Sequence, residues 1–220
     1  MSPIDGTGWG ADSNLAPETL VQLFNLKGTM RSISRTDIME KVVQRYDQAV
    51  MNNVIRAEYV ECMIAVALGP EWQFTWQQSS EWAQWDCEHK PSGARIEIKH
   101  SAAVQPWTRV STRAQGVPRF DIAPRTRLWT QNGNKWIDSP GRRADMYVFA
   151  WHGLKTGVDQ RDPSQWVFLV VAESDLPPEQ NSISLNRLTV LAETCGLSEL
   201  PHTVDQKLRI LGTLKKDKQP

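Results

Sequence analysis

Trp85-Asp86-Cys87-Glu88-His89-Lys90-Pro91-Ser92-Gly93-Ala94-Arg95-Ile96-Glu97-Ile98-Lys99 reads as two strands and a turn. Lys90-Pro91-Ser92-Gly93 has Pro to preset one backbone angle and Gly to supply the unusual one, which is a strong turn signal. The flanking segments, 83–88 and 94–99, are expected as the strands of a hairpin. In the second, alternation puts Arg95, Glu97 and Lys99 on one face and Ile96 and Ile98 on the other. The hairpin would bring Asp86 near Glu97, so that two carboxylates and an ammonium share one site. Hard oxygen ligands of this kind suit Mg²⁺ or Mn²⁺, which keep several waters and complete their shell with phosphate. An adjacent Lys could orient or deprotonate a metal-bound water, or neutralise charge on the phosphate. The plain alternative is that Glu97 and Lys99 form the wet face of a half-exposed strand.

Working outward, residues 53–68 read as a helix closed by Gly69-Pro70. Ile55, Tyr59, Cys62, Met63 and Val66 are expected as its apolar stripe, which places Glu58 beside the stripe and Glu61 further out, toward solvent. Ser34-x-x-Asp37 is a capping pair for a helix over 37–51. Trp72, Phe74, Trp76 and Trp82 suggest short strands or an aromatic loop, and 106–143, punctuated by Pro and Gly, a long irregular connection. Asp145–His152 and Trp166–Ala172 read as buried strands, and 185–194 as a helix. This order argues for an α/β or α+β domain around one sheet. A flexible arm over 1–30, a single domain over 31–214 and a frayed tail over 215–220 complete the expected organisation.

Asp86…Glu97-Ile98-Lys99 resembles the D…(D/E)xK signature of the PD-(D/E)xK nuclease superfamily, which includes restriction endonucleases, Holliday-junction resolvases and RecB-type exonucleases. No Pro precedes Asp86; Trp85 stands there. Three further features are similar to the superfamily: Glu58 on a helix before the hairpin, Lys99-x-Ser101-x-x-x-Gln105, and the later strands 145–152 and 166–172. The pattern over about residues 53–190 also looks like a set of bacterial proteins, without adding an activity. The resemblance implies an α/β fold with a restriction-endonuclease-like core, a central mixed β-sheet flanked by helices. It also implies a metal-dependent nuclease hydrolysing phosphodiester bonds, with DNA favoured and endonucleolytic cleavage favoured. It implies Asp86 and Glu97 as ligands of Mg²⁺ or Mn²⁺ with Glu58 as a third, Lys99 acting on the attacking water, and Gln105 positioning water or phosphate. A nucleic-acid-binding module on the same fold, without cleavage, is the alternative, and an interaction protein a remoter one.

The 220 residues carry 25 Lys+Arg against 25 Asp+Glu, but unevenly. Residues 1–89 hold six basic and twelve acidic residues; residues 90–143 hold eleven basic and three acidic, a net of +8. A local Arg-rich stretch in a neutral chain is the footprint of phosphate binding. Arg109, Arg113, Arg119, Arg125, Arg127, Arg142 and Arg143 are therefore the candidate nucleic-acid contacts, with Trp107, Trp129 and Trp136 placed among them to stack on unpaired bases. Cys62, Cys87 and Cys195 are odd in number and widely spaced, so neither a disulfide framework nor a zinc site is expected and a reducing cytoplasm is the simplest location. The N-terminus lacks a basic start and an apolar run, and no stretch is apolar enough to span a membrane. The expected partner is nucleic acid, with a homodimer needed only if both strands of a duplex are cut.

Overall fold

A computed structural model describes residues 32–78, 83–107, 117–130 and 135–216. The chain divides into two compact units, 1–42 and 43–220. The division therefore falls twelve residues inside the single domain expected from residue 31 onward.

Helix α1, Arg35–Tyr46, begins at the expected cap: the Ser34 N–H donates to Asp37 Oδ2 (2.8 Å) and the Asp37 N–H to Ser34 Oγ (3.1 Å). It stops at Tyr46, short of residue 51, because the next helix takes its own cap. Asn52 accepts from the N–H groups of Val54 and Ile55, both at 3.0 Å, and opens α2, Asn53–Leu68. Gly69 ends α2 at φ 75°, a conformation that favours glycine. The buried residues of α2 are Ile55, Arg56, Val60, Met63 and Ile64, whereas Val66 is 84 % exposed and Cys62 is also exposed. The stripe is thus rotated by about one residue from the one expected, since Val60 and Ile64 out-compete Cys62 and Val66 for the core.

Against α2 stands a five-stranded mixed sheet in the order β1-β2-β3-β7-β8. Its strands are β1 (Trp72–Phe74), β2 (Cys87–His89), β3 (Arg95–Ala102), β7 (Met146–His152) and β8 (Trp166–Ala172). The first three form an antiparallel meander, β7 runs parallel to β3, and β8 returns antiparallel. The expected hairpin is present, but its first strand is only Cys87–His89; Asp86 lies just before it. The irregular connection expected over 106–143 is corrected by three strands: β4 (Arg119–Asp121), β5 (Arg125–Thr130) and β6 (Lys135–Gly141). β4 pairs with β9 (Ser182–Ser184), and β5 with β6 as a separate ribbon. Pro140 fits within β6 because the register shifts opposite it, between Arg125 and Arg127.

Helix α3, Leu185–Leu191, ends before Thr194 because Cys195 is drawn into a bridge with Phe168. Helix α4, Leu200–Lys216, was not expected. Its Leu200, Val204, Leu208 and Leu211 recur every three or four residues and pack on the core. One sheet face, carrying Ile96, Ile98, Val148 and Val170, packs on α2 and α4. The other, carrying Tyr147, Phe149, Leu169 and Val171, packs on α3, β4 and β9. No helix among the described residues is long and apolar enough to cross a membrane.

Candidate active site

Asp86 is held to β3 by its backbone and its side chain together. Its N–H donates to Ile96 O (2.8 Å), and its Oδ2 accepts the Ile98 N–H at 2.5 Å. Its carbonyl oxygen takes the Thr75 N–H (2.9 Å). Asp86 is therefore fixed to β3 on either side of Glu97, backbone on one side and carboxylate on the other, beside Glu97 as the hairpin predicted. Burial pushes the Asp86 carboxyl well above the usual carboxylate range, and the charges of Glu97 and then Glu61 push it further; the Ile98 N–H and Lys99 oppose them.

Glu97 is 8 % exposed, which is unusual for a carboxylate. Lys99 Nζ donates to its Oε1 at 2.5 Å, and an Arg125 guanidinium nitrogen stands 3.8 Å from the same oxygen. In the parallel ladder Glu97 is registered with Tyr147 and Lys99 with Phe149, so the acid and the ammonium share the apolar second face of the sheet. The Tyr147 hydroxyl is shifted upward, first by burial and then by the Glu97 charge. Glu97 and Lys99 are consequently not the wet face of an exposed strand: their side chains are 11 % and 18 % exposed. His100, on the opposite face, accepts from Arg56 Nε (3.2 Å) and takes no part.

The two helix acids exchange the places expected of them. Glu58 is exposed and its Oε2 accepts the Tyr46 hydroxyl (2.7 Å). Glu61 is half-buried, and its carboxyl is pushed up to about 7 by burial first, then by the charges of Glu58 and Glu97. The rotation of the α2 stripe is the reason: it turns Glu61 toward the field of Asp86 and Glu97. Choosing Val60 and Ile64 as the core positions would have found it. Gln105 donates to Ala102 O (3.0 Å), at the end of β3 and three residues past Lys99.

The candidate phosphate contacts among the described residues fall into three groups. Arg142 is corrected outright. Its side chain is 3 % exposed, and it donates to Ile122 O (2.7 Å), Pro177 O (2.8 Å) and Gln180 O (3.0 Å), so it ties loops together and has no donor face for a ligand. Arg143 is half-buried against Ser139. Arg119, Arg125 and Arg127 are exposed; Arg119 donates to Ser182 Oγ (2.8 Å) and Arg127 pairs with Asp138 (3.2 Å). Arg109 and Arg113 lie outside the described residues.

The donor set fits a hard divalent cation in its chemistry. Burial first, and then the charge of Glu97, raises the proton affinity of Asp86 and of Glu61, an excess of negative charge that a cation would relieve. They are not a preformed cage: among the described residues no three His, Cys, Asp or Glu side chains are gathered to hold a metal. Mg²⁺ is commonly held by one or two carboxylates with waters completing its shell, and Asp86 and Glu97 would be the two here. No family model matches the chain, and neither the curated proteins nor the solved structures yield a match.

Proposed function

We propose that this protein is a metal-dependent nuclease, hydrolysing phosphodiester bonds at Asp86, Glu97 and Lys99. The observation that carries the reading is the buried Glu97 carboxylate with the Lys99 ammonium on it and the Asp86 carboxylate clamped beside it. Buried charges of this sort are costly, and strained electrostatics concentrate where chemistry is done. A helix before the hairpin and two later strands completing a mixed sheet support a restriction-endonuclease-like core.

Asp86 and Glu97 would hold Mg²⁺ or Mn²⁺, with Glu61 in place of Glu58 as the third acid, acting through water. The cation, when bound, supplies Lewis acidity and a more acidic water. Lys99, fixed on the same strand face, would orient the attacking water and offset charge growing on the phosphate oxygens. Arg125, 3.8 Å from Glu97 Oε1, would take the phosphate on the side facing the ribbon. Arg119 and Arg127 would contact the backbone further out, and DNA is the favoured substrate.

A second reading, nucleic-acid binding without cleavage, is favoured by one feature: Glu97 Oε1 is already neutralised by Lys99 and Arg125. Incubating the purified protein with labelled DNA and RNA, with Mg²⁺, Mn²⁺ or chelator, separates the two. Fragments that appear only with a divalent cation support the nuclease; intact but retarded substrate supports the binding module.

A further inference from the structure

The β5–β6 ribbon is attached beside the candidate site at two points. Arg125 begins β5 and reaches Glu97, and the Gln84 amide, two residues before Asp86, donates to the carbonyl of Arg127. From Arg125 the ribbon continues four residues to Trp129, about 13 Å along the strand. The register pairs Trp129 with Trp136, Arg127 with Asp138 and Leu128 with Ile137. Directly paired residues share a face, so Trp129, Trp136 and Arg127 line one side of the ribbon. The two indoles meet edge to face with centroids 5.3 Å apart, and Trp136 is 46 % exposed.

A two-stranded ribbon is marginal in water, and a Trp left as exposed as Trp136 is an expensive way to finish a surface. The charge beside the indoles identifies the partner. Arg127 is 65 % exposed and its mate Asp138 86 % exposed, so their pairing is a weak one that a phosphate can replace. An aromatic face that any base can stack on, next to an exchangeable guanidinium, is the pattern that binds unpaired nucleic acid, whereas duplex bases offer no free face. We propose that the β5–β6 ribbon is a stacking platform for single-stranded nucleic acid. Trp136, supported by Trp129, carries an unpaired base, Arg127 takes its phosphate, and the strand is led past Arg125 to Glu97. The substrate class is therefore a nucleic acid with an unpaired segment: a single strand, a flap or an overhang. This inference rests on the reading of the Asp86–Glu97–Lys99 site as one that handles nucleic acid.

The test is binding in chelator, where no divalent cation is present, so that it stands apart from cleavage. The full chain is titrated against a fluorescent 20-nucleotide single strand and against the same sequence as blunt duplex. The parent is expected to bind the single strand more tightly. Trp136→Ala should weaken that binding about 5- to 150-fold, the range for losing one stacked base, and duplex binding by less than about twofold. Trp136→Val, which keeps strand preference but has no ring, should behave like the Ala variant, and Trp136→Phe should recover most of the affinity. Equal single-strand affinity in parent, Trp136→Ala and Trp136→Val overturns the proposal, as does an equal loss on duplex. A dimer in the parent that Trp136→Val converts to monomer, with affinity unchanged, also overturns it and assigns the ribbon to a second copy of the chain. Single-strand binding lost on ring removal, in a protein that cleaves nothing, would retain the platform and reject the nuclease.

Discussion

The carboxylate of Asp86 accepts the peptide N–H of Ile98 at 2.5 Å, one residue beyond Glu97 on the neighbouring strand. With the Asp86 N–H on Ile96 O, the loop before β2 is pinned to β3 on both sides of the second acid. Two carboxylates are thereby forced into one partly desolvated neighbourhood, by backbone geometry that any hairpin of this register would impose. Lys99 and Arg125, both facing Glu97 Oε1, offset part of that repulsion.

Asp86→Asn should therefore stabilise the metal-free protein. Asn can still accept the Ile98 N–H, while the buried charge is gone. The folded carboxyl titrates above its unfolded value, so its ionisation costs stability as pH rises. A gain of roughly 1–2 kcal/mol corresponds to a Tm higher by about 2–6 °C in chelator at pH 8, fading toward pH 4. Thermal unfolding followed by circular dichroism measures it; a lower Tm at pH 8 would show that Asp86 is a structural acceptor and not a stored charge.

Glu61 and Glu58 should separate in both pH dependence and activity. The Glu61 carboxyl is held at about 7 in the folded protein, against its ordinary value of 4.5. Its contribution is complete below about 4.5 and is lost as pH rises to about 7, because the native state then binds the extra proton. Glu61→Gln should remove this part of the decline in Tm across that window and reduce metal-dependent cleavage; Glu58→Gln should leave cleavage unchanged and shrink the decline only in part, through its charge on Glu61. Matching profiles for parent and Glu61→Gln would place that acid in open water.

Arg142→Ala should destabilise the fold without a direct effect on ligand binding. It leaves the carbonyls of Ile122, Pro177 and Gln180 without their shared donor, and a loss of roughly 3 kcal/mol is expected from unsatisfied buried groups. Urea unfolding reads this directly. A variant as stable as the parent would contradict the structural role given to this arginine.

Arg127 should behave in the opposite way. Arg127→Ala breaks only the exposed pair with Asp138, so stability should hold within about 0.5 kcal/mol. Affinity for single strands should fall, and the log–log salt slope should flatten by about 0.7, one phosphate contact on single strands. Titrations at four salt concentrations decide it; an unchanged slope removes Arg127 from the interface.

Much of this was legible before any coordinates. Helix 53–68 and the strand Trp166–Ala172 announced their own ends, through Gly69-Pro70 and an unbroken apolar run. The hairpin around Pro91 and Gly93 put Asp86 beside Glu97 because turn chemistry fixes register locally. The helical phase of α2 was not legible, since Cys62 and Val66 compete with Val60 and Ile64 on hydrophobicity alone and only the sheet beneath decides between them. That ambiguity inverted Glu58 and Glu61. Strands β4, β5 and β6 were hidden because Pro118, Pro124 and Pro140 read as loop, whereas they stand at strand boundaries or opposite a register shift. Arg142 and Arg127 are alike in sequence; burial, a tertiary property, makes one a strut and leaves the other available.

The central claim is that Glu97 belongs to a metal-dependent phosphodiesterase site, and single-turnover cleavage of an end-labelled oligonucleotide with an unpaired segment tests it most directly. Parent and Glu97→Gln are compared at equal concentration in Mn²⁺ and in chelator, with folding of both confirmed by circular dichroism. The account predicts cleavage by the parent in Mn²⁺, none in chelator, and a rate at least ~100-fold lower for Glu97→Gln, the scale of losing a principal electrostatic group. Cleavage by folded Glu97→Gln at the parent rate, or no cleavage by the parent on single-stranded, duplex or junction substrates, would contradict it.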